Sequence, residues 1–315
     1  MALAVPAAWA QSWTASYQFP PGDPRDDAMR SIAQAMKAHN LDIRLYAAAS
    51  LLRPSDQWGA LAAGNIDMVF MPADYLLDRF PQLAVLSLPG MIRTHAQAER
   101  VAASPAMREL RRQIEAAGVV ILADSWIPGA YASRSRCVVK PTDAKGLRAR
   151  TIGRFMSEFW TAAGAVPVPA TTAEALPTLV NNDLIDIANT SAATLLSLHM
   201  ETKFACLTVP GEAGALWYLY EPIMVSKRKF DALDETRRQA LIAAASWAET
   251  SLSASTSLLE RRLAGNYLAA GIEVSTIDHA NMAAWIKLAR RTAWKSFRDT
   301  VPGGGDLMDK VQATE

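Results

Sequence analysis

Two cysteines and four histidines in 315 residues cannot build a disulfide framework and leave no zinc-type ligand spacing. Charge of one sign is also scarce: 32 basic residues stand against 31 acidic ones, a formal net charge of +1. That balance, without any Lys/Arg run or aromatic-basic stripe, gives no reason to expect nucleic acid or an anionic membrane surface as a partner. No stretch approaches the ~18 consecutive apolar residues of a spanning helix. Catalytic and nucleotide signatures are missing too: no Gly-x-Ser-x-Gly elbow, no Walker loop, no Gly-x-Gly-x-x-Gly opening a helix, no His-Glu-x-x-His. Residues 211–215 follow Pro210 and are too short for a phosphate loop, and Gly303-Gly304-Gly305 reads as a flexible linker. His39, His95, His199 and His279 fall at helix ends or in a polar turn, where capping and surface roles are ordinary. No cofactor and no metal is expected.

What is present is a near-neutral globular chain, 50% apolar and 20% charged, long enough for about two domains. Residues 1–10 are small and apolar and end in Ala8-Trp9-Ala10, a small-x-small cleavage pattern. They read as a signal-peptide remnant, which makes the protein an exported, periplasmic one; an ordinary apolar N-terminus is the alternative. An oxidising compartment would permit a Cys137–Cys206 bond, although two buried reduced cysteines fit as well.

Strand and helix signals alternate along the chain. Strands are expected at 13–19, 41–46, 66–71 and 119–124, and helices at 26–39, 55–63 and 96–117. This is the pattern of a doubly wound parallel sheet. A second α/β unit begins near Ser133, with strands at 147–152, 166–168 and 185–189, helices at 155–163 and 173–180, and Thr172 as a cap. Segments 204–209 and 218–226 are read as strands returning to the first lobe. Residues 234–270 contain no proline and one glycine, Gly265, with Asp234 suited to the N-cap and Gly271 to the C-terminal stop. One helix of roughly 55 Å would span both lobes; a pair of helices broken at 251–257, where serine and threonine crowd, is the alternative. The expected lobes are residues 11–132 with 207–250, and 133–206 with 251–300, leaving 301–315 as a tail.

Several segments carry a resemblance. Pro141-Thr142-Asp143-Ala144-Lys145-Gly146-Leu147-Arg148-Ala149-Arg150 resembles a segment of the DctP-type solute-binding proteins of tripartite ATP-independent periplasmic (TRAP) transporters. Gly164-Ala165-Val166-Pro167, the stretch from Glu174 to Asp186, residues 61–68, residues 86–90 and residues 225–233 are similar to further motifs of that family, in the same order. The resemblance implies a periplasmic-binding-protein fold, two α/β lobes joined by crossing strands and a long helix. It implies a receptor rather than an enzyme, probing for a small organic acid and handing it to small and large integral membrane subunits. A monomer is expected.

Arg150 is the key residue. It falls at the end of a strand in the second lobe, where open α/β sheets place ligands, and a guanidinium is a planar fork matched to a carboxylate. The resemblance implies that it anchors the ligand's carboxylate; an exposed ion-paired arginine is the bland alternative, and Arg148 is the substitute if the register differs. Asn189 and Thr190 stand where relatives present polar ligand contacts, or form a strand-end turn. Gln18 with Phe19 and Met71 with Pro72 end two first-lobe strands and are expected to face the cleft. Trp126, Tyr131, Trp217 and Tyr220 flank the crossings between lobes, as cleft or as core. A second arginine that many relatives carry after the glycine corresponding to Gly129 is missing, because Ala130 and Tyr131 follow it. With Thr172 where some relatives have an aromatic, a monocarboxylate with a bulky or aromatic body is expected over a dicarboxylate. The rival reading is an enzyme on a carboxylic acid, with Arg150 as anchor and Asp186 or Glu174 as base; a receptor of the ABC-importer type is a third.

Overall fold

The computed structural model describes residues 11–170 and 172–314, except the side chains of residues 172–174 and 257. The leader expectation for residues 1–10 and the side chains of Thr172 and Glu174 therefore lie outside the described residues. Among those described, the strands are β1 (Gln11–Tyr17), β2 (Leu41–Tyr46), β3 (Met68–Phe70), β4 (Val119–Ala123), β5 (Trp126–Ser133), β6 (Arg148–Thr151), β7 (Val166–Pro169), β8 (Ile187–Ser191), β9 (Cys206–Val209), β10 (Tyr218–Tyr220), β11 (Ile223–Ser226) and β12 (Glu273–Thr276). The helices are α1 (Pro24–Lys37), α2 (Pro54–Ala62), α3 (His95–Ala102), α4 (Pro105–Ala116), α5 (Gly153–Ala162), α6 (Thr172–Asn181), α7 (Ala192–Ser197), α8 (Lys227–Asp231), α9 (Glu235–Ala269), α10 (His279–Ala289), α11 (Lys295–Thr300) and α12 (Gly304–Gln312).

Two sheets organise the chain. The first has the order β2-β1-β3-β11-β4, with β1 parallel to both β2 and β3, and β11 antiparallel to its neighbours. The second runs β12-β9-β5-β8-β6-β7, with β10 paired to β5. The chain passes between sheets from β4 to β5 and returns from β10 to β11. Sequence periodicity locates most elements to within two residues, because apolar spacing sets which face is buried. In α1, for instance, Asp23 accepts the Arg25 N–H as N-cap, Pro24 opens the first turn, and Met29, Ile32, Ala33 and Met36 are buried.

Long-helix α9 forms as one piece of 35 residues, about 50 Å long. Its buried Leu241, Ala245, Ala248, Leu252, Thr256, Leu259, Leu263 and Tyr267 follow each other at spacings of three and four, one continuous stripe. The N-terminal part of that stripe joins the core under the first sheet and the C-terminal part the core under the second. The serine and threonine stretch does not break the helix because the buried stripe runs through it, and its hydroxyls stay on the helix: Thr250 donates to the Ser246 carbonyl and Ser255 to that of Ser251.

Three expectations are corrected. The helix expected over 96–117 is two, α3 and α4, because Ser104 caps a new start and Pro105 cannot continue the old one. Strand β9 belongs to the second sheet, between β5 and β12, and β10 also pairs there, so the return to the first lobe begins only at β11. Residues 301–315 are no tail: Gly303, at φ 71°, starts α12, whose Leu307, Met308 and Val311 are buried in the main core. The open question about the cysteines also closes, for Cys137 and Cys206 form a disulfide across 69 residues of sequence.

Candidate functional site

Strand β6 carries Arg150 into the space between the sheets, and β8 beside it brings Asn189 and Thr190. The first lobe supplies the opposite wall. After β3, two 3-10 turns (Ala73–Leu76 and Pro81–Leu86) fold residues 74–89 over the strand ends. Between these walls lies a cavity lined by Arg150, Asn189, Thr190, Ile152, Phe155 and Met156 on one side. Asp74, Leu77, Ala84, Ser87, Leu88 and Pro89 face them, and Trp217 and Leu219 close the crossing side. The cavity volume is only about 20 Å³. The walls are therefore nearly shut on one another.

Arg150 is 1% exposed. Its Nε donates to the Ala170 carbonyl at 2.8 Å and its Nη1 to that of Asn189 at 3.0 Å, which fixes the plane of the fork. Burial pushes its pKa down to about 10, against a partial upward pull from Tyr75 and Asp74, so it stays charged at neutral pH. Asp74 is half-buried, and burial raises its pKa while the Ser87 hydroxyl, donating at 2.6 Å, and Arg150 pull it back. A buried cation and a desolvated carboxyl thus share one small apolar chamber. Asn189 leaves its side-chain oxygen buried with no hydrogen-bond partner among the described residues.

Trp217 owes its place to a glycine. Its ring stacks on Tyr131 with centroids 5.9 Å apart, and a Cβ on Gly129 would lie 2.1 Å from it. Gly129→Ala is expected to push the indole into the cavity, costing about 1–3 kcal/mol of stability and weakening any ligand that touches Trp217. Denaturant melts and a titration on the same sample check both halves.

Of the expected site residues, Arg150, Asn189, Thr190 and Trp217 come together in this cavity. Thr172 lies outside the described side chains, and the structure places the others elsewhere. Gln18 and Phe19 line a separate small pocket with Arg25, Thr194 and Ser197, where Gln18 accepts the Tyr75 hydroxyl. Met71 is core and Pro72 is buried beside it, since the chain turns inward only two residues later, at Asp74. Trp126 lines a different cavity at the hinge, with His95, Asp124 and Glu249, and packs on Tyr220, whose hydroxyl donates to Asp124. Tyr131 lies behind Trp217 and donates to the Val138 carbonyl. Arg148 is not a substitute anchor, because it is paired in a two-pronged contact with Asp186 at the surface. That pairing also removes Asp186 as a base for chemistry in the cavity. Asp74, Ser87, Phe155 and Met156 went unread. Their signal was a carboxylate one short turn past a buried strand, and the first turn of the helix that follows Arg150.

A family profile described as bacterial extracellular solute-binding protein, family 7, matches residues 16–300. A solute-binding protein of Albidiferax ferrireducens is 29% identical over 307 residues, covering 95% of this chain and 90% of the relative. The 2,3-diketo-L-gulonate-binding periplasmic protein of Escherichia coli is 25% identical over 281 residues, covering 87% and 82%. The fold matches a crystal structure of a TRAP periplasmic solute-binding protein from Rhodoferax ferrireducens with bound malonate at a TM-score of 0.90, with 29% identity and coverage of 96% and 97%. A profile match that takes in both sheets, the cavity between them and the long helix decides the matter: the chain belongs to the DctP family of bacterial extracellular solute-binding proteins, which are receptors and not enzymes.

Proposed function

We propose that the protein works in the periplasm as the solute receptor of a TRAP-type transporter, closing over one small organic acid whose carboxylate is held by Arg150. The observation that carries this reading is a fully buried, charged arginine on the wall of a cavity between two lobes, its fork oriented by two carbonyls. A carboxylate arriving there gains charge-assisted bonds and offsets the desolvation that depresses the arginine. Both walls come from one chain, so a monomer suffices. Location outside the cytoplasm is supported by the Cys137–Cys206 disulfide, a bond kept in oxidising compartments. The relatives' ligands, malonate and 2,3-diketo-L-gulonate, are organic acids, which supports the class. The narrow space favours a small acid over the bulky or aromatic body expected from the sequence. Delivery to integral membrane subunits follows from the family.

Closure is supported by a polar latch far from Arg150. Arg25 is buried between Asp23 and Glu221, at 2.7 and 2.9 Å, and reaches Thr194 on α7; Ser197 of the same helix donates to Asp23 at 2.6 Å. Burial works against the Asp23 charge, but Arg25 and the hydrogen bonds from Arg25 and Ser197 hold its carboxyl below the usual range. These bonds join first-lobe residues to α7 of the second, and a ligand touching both lobes would favour the state that makes them. Ser197→Ala is expected to weaken binding about fivefold, a hydrogen bond's worth, without touching the ligand. Stopped-flow fluorescence would show the loss as faster dissociation.

Calorimetric titration against a panel of small carboxylates, with mass analysis of the recovered acid, tests the function. One selective ligand returned unchanged supports the receptor; no binding by any carboxylate, or conversion of the acid, removes it.

A further inference from the structure

The cavity holds more than a carboxylate anchor, and the rest of its polar chemistry is of one kind. Facing the Arg150 wall, Asp74 presents a carboxyl from the first 3-10 turn, and its Oδ1 takes the Ser87 hydroxyl at 2.6 Å. Asn189, 3% exposed, has a side-chain oxygen without a partner among the described residues. Every other lining group named above is apolar except Thr190 and Ser87. The chamber thus offers one cation and two acceptors, the Asp74 carboxyl with the Ser87 hydroxyl on one oxygen and the Asn189 oxygen with no partner among the described residues. Such acceptors are costly to leave dry and unmet when the lobes shut.

From this we infer that Asp74 selects the ligand's second functional group, so that the receptor's substrates are small carboxylic acids bearing a hydrogen-bond donor, hydroxyl or amino, close to the carboxylate. The inference rests on the proposal that Arg150 takes the carboxylate. With that end fixed, a substituent on the neighbouring carbon shares one small chamber with the Asp74 carboxyl. A hydroxyl or ammonium there donates to the carboxyl. A bare methyl adds no donor to the one that Ser87 already gives the carboxyl. A second carboxylate is repelled by it, with a single arginine to serve two negative groups. Discrimination built on an unmet polar group is steep, whereas one methylene more or less in an apolar pocket changes affinity only modestly.

The test uses four acids on one three-carbon skeleton: propionate, lactate, alanine and malonate, titrated into wild type, Asp74→Asn, Asp74→Ala and Arg150→Ala. Wild type is expected to bind lactate or alanine at least about tenfold more tightly than propionate or malonate. Asp74→Asn keeps the shape and the contact with Ser87 but not the charge; it should cost alanine at least about tenfold, leave propionate within about twofold and improve malonate. Asp74→Ala should erase the preference for both donors, and unchanged propionate binding shows that the variants fold. If Arg150→Ala abolishes all binding while neither Asp74 variant alters the ranking, the selector role is wrong and the receptor reading stands. If wild type binds none of the four, or Arg150→Ala leaves their affinities unchanged, the anchor fails and this inference falls with it.

Discussion

Arg150→Ala should weaken binding of the cognate acid by roughly 30-fold or more, the ~2–5 kcal/mol that truncating one partner of a buried charge pair costs. The size of the effect follows from burial. At the surface the same pair would be screened by water and worth a fraction of this. Here the guanidinium is 1% exposed, and the acid's charge would have no other cation on the cavity wall to turn to. Arg150→Lys keeps a charge but loses the fork, and the lysine ammonium cannot reproduce two parallel bonds, so its affinity should fall between the two. In the alanine variant the carbonyls of Ala170 and Asn189 lose their donors while an unfavourably buried charge is removed, so the ligand-free melting temperature should move by no more than a few degrees. Calorimetry on protein shown folded by circular dichroism separates the two effects. A loss of less than about threefold would contradict a carboxylate seated on Arg150.

Removing the disulfide should produce the largest change in stability. The bond closes a loop of 69 residues, for which chain entropy in the unfolded state predicts about 4 kcal/mol. Cys206 opens β9, between β5 and β12, and Cys137 lies on the loop after β5, so the bond ties that loop to the second sheet. A Cys137→Ser, Cys206→Ser double variant should melt roughly ten degrees lower, as should wild type in strong reductant. Neither cysteine lines the Arg150 cavity, so ligand affinity should stay within about twofold. A drop of under about two degrees would mean that the second sheet holds that loop without the bond.

The sequence carried the sheet-and-helix grammar well because burial imposes it. The stripe on α9 had to run the length of a helix that touches two cores, and the strand leading to Arg150 had to end where the second lobe opens. Order along the chain also exposed the family through residues 141–150. What it did not carry was which strand pairs with which: Cys206–Val209 reads equally well beside either sheet, and its pairing with β5 and β12 and the disulfide place it in the second. Pro105 gave a local sign of the break between α3 and α4, but apolar spacing that continues across it outweighed that sign. At the site, strand ends are legible and the turns after them are not. Met71 and Pro72 end β3, yet it is the 3-10 turn beyond them that swings Asp74 into the cavity. Aromatic residues gave the poorest guidance. Trp126, Tyr131 and Tyr220 pack as core while Trp217 reaches the wall, a difference decided by the missing side chain of Gly129.

The central claim is that a small carboxylate sits between the lobes on Arg150. A crystal structure of the protein with a calorimetrically confirmed acid tests it most directly. The account predicts density in the cavity walled by Arg150, Asn189 and Trp217, with two carboxylate oxygens within hydrogen-bond reach of the guanidinium. An acid found elsewhere, such as in the hinge cavity beside His95 and Glu249, with Arg150 untouched, would contradict it.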